Sequence, residues 1–144
     1  MDEPALREML RSVSEGLLSI DDALARLARL PFADLGHSKV DHHRAIRQGL
    51  PEAIYGPGKS PQQCAAIAAE LLAHGSGPVL LTRATPEQIA AATDANPGGE
   101  LHGTTVVWRA APRRPESVAV LTAGTADAVA ADECGATLWA HGVH

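Results

Sequence analysis

Aromatic residues are scarce in this chain of 144: one Phe, one Tyr and two Trp. A core without large rings is built from Ala, Leu, Val and Ile, which suits helices packed on a buried sheet. Cysteine is also sparse. Cys64 and Cys134 both lie in alanine-rich stretches that read as helix, and neither belongs to a C-x-x-C pair. The expectation is a reduced, cytoplasmic chain. The opening MDEPALREML has no apolar run, so no secretory signal is read. No window approaches the length of a membrane-spanning helix. Positive charge is in deficit, with 12 Lys and Arg against 17 Asp and Glu, a net charge of -5. That excludes a nucleic-acid backbone binder, which needs a broad cationic face, but not a local pocket for one small phosphate ester.

What is present describes a folded chain. At 45% hydrophobic and 20% charged residues, it has enough apolar material for a core. Its length fits one domain or two small ones. Leu6, Met9, Leu10, Val13 and Leu17 recur at helical spacing, predicting a helix over about 3–15 that stops near Gly16. Ser19, with Asp22 three residues on, predicts a second helix ending before Pro31. Residues 1–31 therefore form a helical hairpin. Residues 32–40 read as extended or irregular. Asp41 is placed to cap a short helix, HHRAIRQ, closed by Gly49.

A pattern then repeats. EAIYG is followed by S-P-Q-Q and a helix, and PVLLTRA by T-P-E-Q and a helix. Each opening has a hydroxyl N-cap, proline at the first helical position and glutamine three after the cap. The result is a small parallel β-α-β-α domain, with strands near 52–55 and 78–82 and helices near 61–74 and 86–94. A further strand is expected at 104–109. Residues 111–117 read as a linker by composition. VAVLTAG, at 118–124, reads as another strand, followed by a helix over 126–141 interrupted by Gly135.

Three candidate sites follow. The first is DHHRAIRQGLPEAIYGPGKSPQQ, residues 41–63, with Arg44, Arg47 and Lys59. GPGKS is not a P-loop. The first glycine of G-x-x-x-x-G-K-[ST] falls on Ala53, and Pro57 removes a backbone donor. Lys59 nevertheless sits between a strand and a helix start, where free N–H groups favour an anion. Arg44 and Arg47 share a helix face and converge on the same anion, or they pair with Asp41 or Glu52. Arg83, at the carboxyl end of PVLLT, extends the pocket or fills surface above the sheet. The second candidate is TAGTADA, residues 122–128. Its Gly124, Thr125 and Asp127 suit a loop that wraps a phosphorylated ligand, although Asp127 equally serves as a helix cap. The third is the histidines. His42 and His43 point about 100° apart on a helix, and no H-x-x-x-H spacing occurs, so no metal site is read.

The motifs D-x-x-R-x-x-R-x-G-x-P-E, G-x-G-K-[ST], T-R-A and T-A-G-T-x-D, taken together, resemble the LarB family. Those enzymes are pyridinium-3,5-biscarboxylic acid mononucleotide synthases of nickel-pincer nucleotide biosynthesis. The resemblance runs from about Ile20 to His144 with gaps in 90–115. It implies carboxylation of the pyridinium ring of nicotinic acid adenine dinucleotide by CO2 and cleavage of its phosphoanhydride. It implies a homo-oligomer, with no nucleic-acid or membrane partner; no cofactor is assigned, and magnesium is left open. Residues 32–110 become a small α/β accessory domain. Residues 118–144 become the first β-α unit of a Rossmann-like carboxylase domain, similar to the PurE-like aminoimidazole ribonucleotide carboxylases. Gly124, Thr125 and Asp127 take the place of that fold's ligand loop. Ala126 stands where the family usually has serine. The family's catalytic cysteine and glycine-histidine motif lie downstream of His144, so Cys64 and Cys134 do not inherit that role. The expectation is a truncated member, inactive alone. The alternatives are a non-catalytic nucleotide- or partner-binding module, and an aminoimidazole ribonucleotide carboxylase relative.

Overall fold

The computed structural model describes residues 3–28 and 32–144. Helices α1 (Glu3–Ser14) and α2 (Ile20–Leu27) form the expected hairpin. The Ser19 hydroxyl accepts the Asp22 N–H at 3.0 Å, satisfying one of the donors that a helix start leaves free. Met9 and Ala23 are buried, while Leu10, Leu17, Ile20 and Leu24 face solvent. The proposed stop at Pro31 lies outside the described residues.

Strands β1 (Phe32–Asp34) and β2 (Lys39–Asp41) pair antiparallel across a tight turn. Helix α3 (Arg44–Gln48) is shorter than the sequence suggested. Asp41 is not its N-cap. That position is His43, whose side chain makes no capping bond. Asp41 Oδ1 instead accepts the His43 N–H at 3.0 Å, a turn completed before the helix begins. Gly49 closes α3 with φ 72, a left-handed value that favours glycine.

The main sheet follows. Strand β3 (Ala53–Tyr55) leads to α4 (Pro61–His74), β4 (Val79–Thr82) and α5 (Pro86–Ala95), as the repeated pattern predicted. Both capping boxes are formed, by Ser60 with Gln63 and by Thr85 with Gln88. An antiparallel hairpin, β5 (Glu100–His102) and β6 (Thr105–Trp108), completes the sheet in the order β3-β4-β6-β5. Only β3 and β4 run parallel, with Ile54 opposite Leu81. The chain is therefore mixed α/β, with a mixed four-stranded sheet.

Alternation along the strands divides two cores. Ile54, Val79, Leu81, Val106 and Trp108 pack with Cys64, Ile67, Ala68 and Leu71 of α4 and Ala92 of α5. Each large aliphatic side chain buried there contributes about 1.5–3 kcal/mol. The buried indole of Trp108 donates to the Asn96 carbonyl at 2.7 Å. The opposite face carries Leu80 and Val107, covered by Trp139 and Ala140 of α6 (Ala128–Ala140). This helix runs through Gly135 without the interruption expected there. Its far end is tied to the segment after β6 by Ala111 N–H to Ala140 O at 2.8 Å.

Residues 118–124 differ from the strand expected of them. They form no ladder, and Val118, Val120 and Leu121 are exposed. An apolar run becomes a strand only when a partner takes its N–H and C=O groups, and no described strand does so.

Candidate functional site

The carboxyl ends of β3 and β4 carry the densest chemistry. After β3 the chain turns through Gly56, Pro57, Gly58 and Lys59. The Lys59 N–H donates to Gly56 O at 3.0 Å. Pro57 in the second place and Gly58 at φ +82 in the third suit a type II turn. Gln88, only 4% exposed, pins this turn from α5. Its Nε2 donates to Gly56 O at 2.9 Å and to Lys59 O at 2.7 Å. Gly56 has no room for a side chain, since a Cβ would lie 2.9 Å from Gln88 Oε1 and 3.0 Å from the Thr82 and Arg83 carbonyls. The capping residue of one helix thus fixes the loop before the other.

That loop aims Lys59 back over its own strand, where Nζ donates to Tyr55 O at 2.8 Å. Arg83 follows β4 in left-handed backbone, φ 51. Its guanidinium lies 5.8 Å from the Tyr55 ring centroid, within cation–π range. Its Nε donates to Glu133 Oε2 of α6 at 2.7 Å. The hydrogen bond to Glu133, and then its charge, push the guanidinium pKa up. Lys59 and Arg83 therefore flank Tyr55 at the ends of two neighbouring parallel strands.

Arg44 and Arg47 lie elsewhere. Arg47 donates to Asp41 Oδ2 at 2.9 Å, one of the two arrangements the sequence left open. The Asp41 N–H donates to Glu52 Oε2 at 2.7 Å, which places this group at the amino end of β3. Desolvation pushes the Asp41 carboxyl up. The Arg47 hydrogen bond and charge, with the His43 and Arg44 backbone N–H groups, outweigh it and hold the pKa below the usual value. Arg44 is exposed on the same helix. The strand between Glu52 and Tyr55 spans about 10 Å, so the four cations form two groups, not one.

Gly124, Thr125 and Asp127 lie on the exposed approach to α6. Gly124 has φ +85, and Thr125 O accepts the Ala128 N–H at 3.3 Å. Asp127 is the N-cap residue, yet its side chain makes no capping bond. Helix α6 links this loop to the strand ends through Glu133. Sequence reasoning missed Tyr55, Gln88 and Glu133 as parts of this region. The available signals were that Tyr55 is the sole tyrosine and that Gln88 occupies the capping-box position.

Arg109 was also missed, although W-R-A after β6 repeats T-R-A after β4. It too is left-handed, φ 55, and its role is visible. Its guanidinium donates to Leu71 O, Leu72 O and Gly75 O at 3.3, 3.0 and 2.6 Å, closing the end of α4. Burial there pushes its pKa down. Beside it is a cavity of about 180 Å³ whose lining includes Asp41, Glu52 and His141. Burial, then the charge of Arg114, lower the His141 pKa. A second cavity, of about 650 Å³, is lined by Met9, Arg26, His42 and His74 among others. His42 is buried there, its Nε2 2.9 Å from Glu70 Oε1. A third, of about 340 Å³, runs between β2 and β3 past Lys39, Tyr55 and Lys59. None of these three cavities is lined by Gly124, Thr125, Asp127 or Arg83. Among the described residues, no group of three or more His, Cys, Asp or Glu side chains is placed to hold a metal ion. No helix among them is long and apolar enough to cross a membrane.

The family model of the LarB/PurE-like N-terminal domain matches residues 32–110, more than half of the chain. The chain belongs to the LarB/PurE-like family. That range holds β1 through β6, and with them the motifs at Asp41, Lys59 and Arg83. No curated protein matches the chain.

Proposed function

We propose that the chain belongs to a carboxylase/hydrolase acting on nicotinic acid adenine dinucleotide. The reaction adds CO2 to the pyridinium ring and cleaves the phosphoanhydride, giving pyridinium-3,5-biscarboxylic acid mononucleotide and AMP. The family match supports this reading. The observation that carries it is the convergence of Lys59 and Arg83 on Tyr55 at the ends of two parallel strands, where open sheets take ligands. Lys59 and Arg83 bind a phosphate or carboxylate of the dinucleotide. Gly124, Thr125 and Asp127 approach the same ligand from the start of α6. Arg44 and Arg47, grouped with Asp41 at the far end of β3, are not assigned to this ligand. The reading makes the protein a cytoplasmic homo-oligomer with no nucleic-acid or membrane partner.

Within residues 1–144 we assign binding rather than turnover. Cys64 is buried, and burial pushes its thiol pKa up, away from the reactive thiolate. The loop at 124–127 is solvent-exposed and has no paired strand before it. That same observation favours the second reading, a nucleotide-binding module without catalysis.

One experiment separates the readings. The protein is titrated with nicotinic acid adenine dinucleotide and, separately, with aminoimidazole ribonucleotide. Each mixture is then held with 13C-bicarbonate and analysed by mass spectrometry. Saturable binding of the dinucleotide without a labelled product is expected. A labelled carboxylate together with AMP would place the whole reaction in this chain and overturn the division. Preference for the ribonucleotide would move the protein to purine-type carboxylation. No binding of either ligand would refute the assignment.

A further inference from the structure

Arg83 and Arg109 are a matched pair with unequal explanations. Each follows a strand, each precedes alanine, and each adopts left-handed backbone, φ 51 and 55. Glycine makes that turn with less strain, so an arginine in its place implies a task for the side chain. Arg109 has one, since it takes three carbonyls at the end of α4. Arg83 is 44% exposed and is held by a single carboxylate, that of Glu133. An exposed pair of this kind contributes little to stability. A strained, half-exposed guanidinium with one carboxylate makes a poor structural clamp. The same arrangement fits an anion site whose occupant comes from the protein itself.

The surroundings suit that description. Lys59 spends one of its three ammonium protons on Tyr55 O, leaving two for a second acceptor. The Tyr55 ring under the guanidinium is half exposed. Glu133 reaches this place from α6, and Asp127 stands at the start of that helix. Removing Glu133 from Arg83 therefore takes away one tie between the end of β4 and the first half of α6, while Trp139 and Ala140 keep the second half packed on the sheet.

We propose that Glu133 stands in for an anionic group of the ligand. The phosphate of AMP, a product of that reaction, competes with Glu133 for Arg83, and its binding detaches the first half of α6 from the end of β4. The proposal rests on the nucleotide reading above and adds to it a displaced internal carboxylate.

AMP is the probe. It is titrated calorimetrically into the full 144-residue chain and into Glu133→Gln and Arg83→Gln variants, each first shown by thermal melting to be folded. Removing an internal competitor restores the fraction of competent sites, so Glu133→Gln tightens AMP about threefold to tenfold. Arg83→Gln weakens it at least about tenfold, the loss expected for one charge-assisted contact to the phosphate. Saturating AMP also speeds amide hydrogen exchange across 128–134 in the wild type, to the level that Glu133→Gln shows without ligand, while 135–140, packed through Trp139 and Ala140, stay protected. Wild-type binding that Arg83→Gln abolishes but Glu133→Gln leaves unchanged or weakens would overturn the competition and leave the nucleotide reading standing. Binding untouched by Arg83→Gln would overturn it too. No AMP binding by any of the three proteins would overturn the competition alone if the dinucleotide still binds the wild type, and would overturn both if it does not.

Discussion

Gln88 is where the fold and the candidate site depend on one side chain. It is 4% exposed and makes three side-chain hydrogen bonds. Oε1 accepts the Thr85 N–H at 2.9 Å, and Nε2 donates to Gly56 O and Lys59 O. Gln88→Ala removes all three and strands buried backbone groups. At about 1 kcal/mol per bond, with a further penalty for unpaired carbonyls, the loss is about 2–4 kcal/mol. For a chain of this length that lowers the melting temperature by about 5–15 °C. Gln63→Ala is the control. Gln63 holds the sister capping box on α4 through one side-chain bond, Ser60 N–H to Oε1 at 2.8 Å. Its loss should cost about 1 kcal/mol. Urea unfolding followed by far-UV circular dichroism reads both. Equal costs for the two variants, or a loss below about 0.5 kcal/mol for Gln88→Ala, would refute the claim that α5 pins the Lys59 turn.

Other outcomes follow from the same geometry. Arg109→Gly should destabilise by about 1–2 kcal/mol, because Leu72 O and Gly75 O lose the guanidinium and Leu71 O keeps only the Gly75 N–H, while only backbone strain is relieved. Arg83→Gly should leave the melting temperature unchanged or raise it, since relief of φ 51 offsets an exposed pair; a large fall would contradict the contrast between the two arginines. Gly56→Ala should cost about 1–3 kcal/mol, because its Cβ meets two backbone carbonyls that have little freedom to move. The Asp41 carboxyl is held below its usual pKa in the folded protein. Its contribution is therefore complete above about pH 4, the unfolded value, and is lost as pH falls through the folded value. Asp41→Asn should cost about 1 kcal/mol at pH 7. The gap from wild type should close in unfolding curves measured below about pH 4.

Much of the core was legible because its signals are local. Ser60-Pro61-Gln62-Gln63 and Thr85-Pro86-Glu87-Gln88 announce helix starts through hydroxyl, ring and amide, and both helices begin where those signals stand. Val79–Thr82 and Thr105–Trp108 are apolar on both faces, and the structure covers both. Three features were not legible. Glu100–His102 is too short for its alternation to register, so the hairpin that turns the sheet antiparallel went unread. Residues 118–124 have the composition of a strand, but pairing depends on a partner that local pattern does not encode. The separation of Arg47 from Lys59 is set by the direction of β3, with one cation before the strand and the other after it. Nearness in sequence concealed this.

The central claim is that an anionic nucleotide lies at the carboxyl ends of β3 and β4. Backbone amide NMR of the 15N-labelled chain, titrated with nicotinic acid adenine dinucleotide, tests it most directly. Saturable shifts are expected at Tyr55, Gly56, Gly58, Lys59, Arg83–Thr85 and Gly124–Glu133, with little change beside His42 and His74. Shifts confined to the His42–His74 cavity, or none at millimolar dinucleotide, would contradict it.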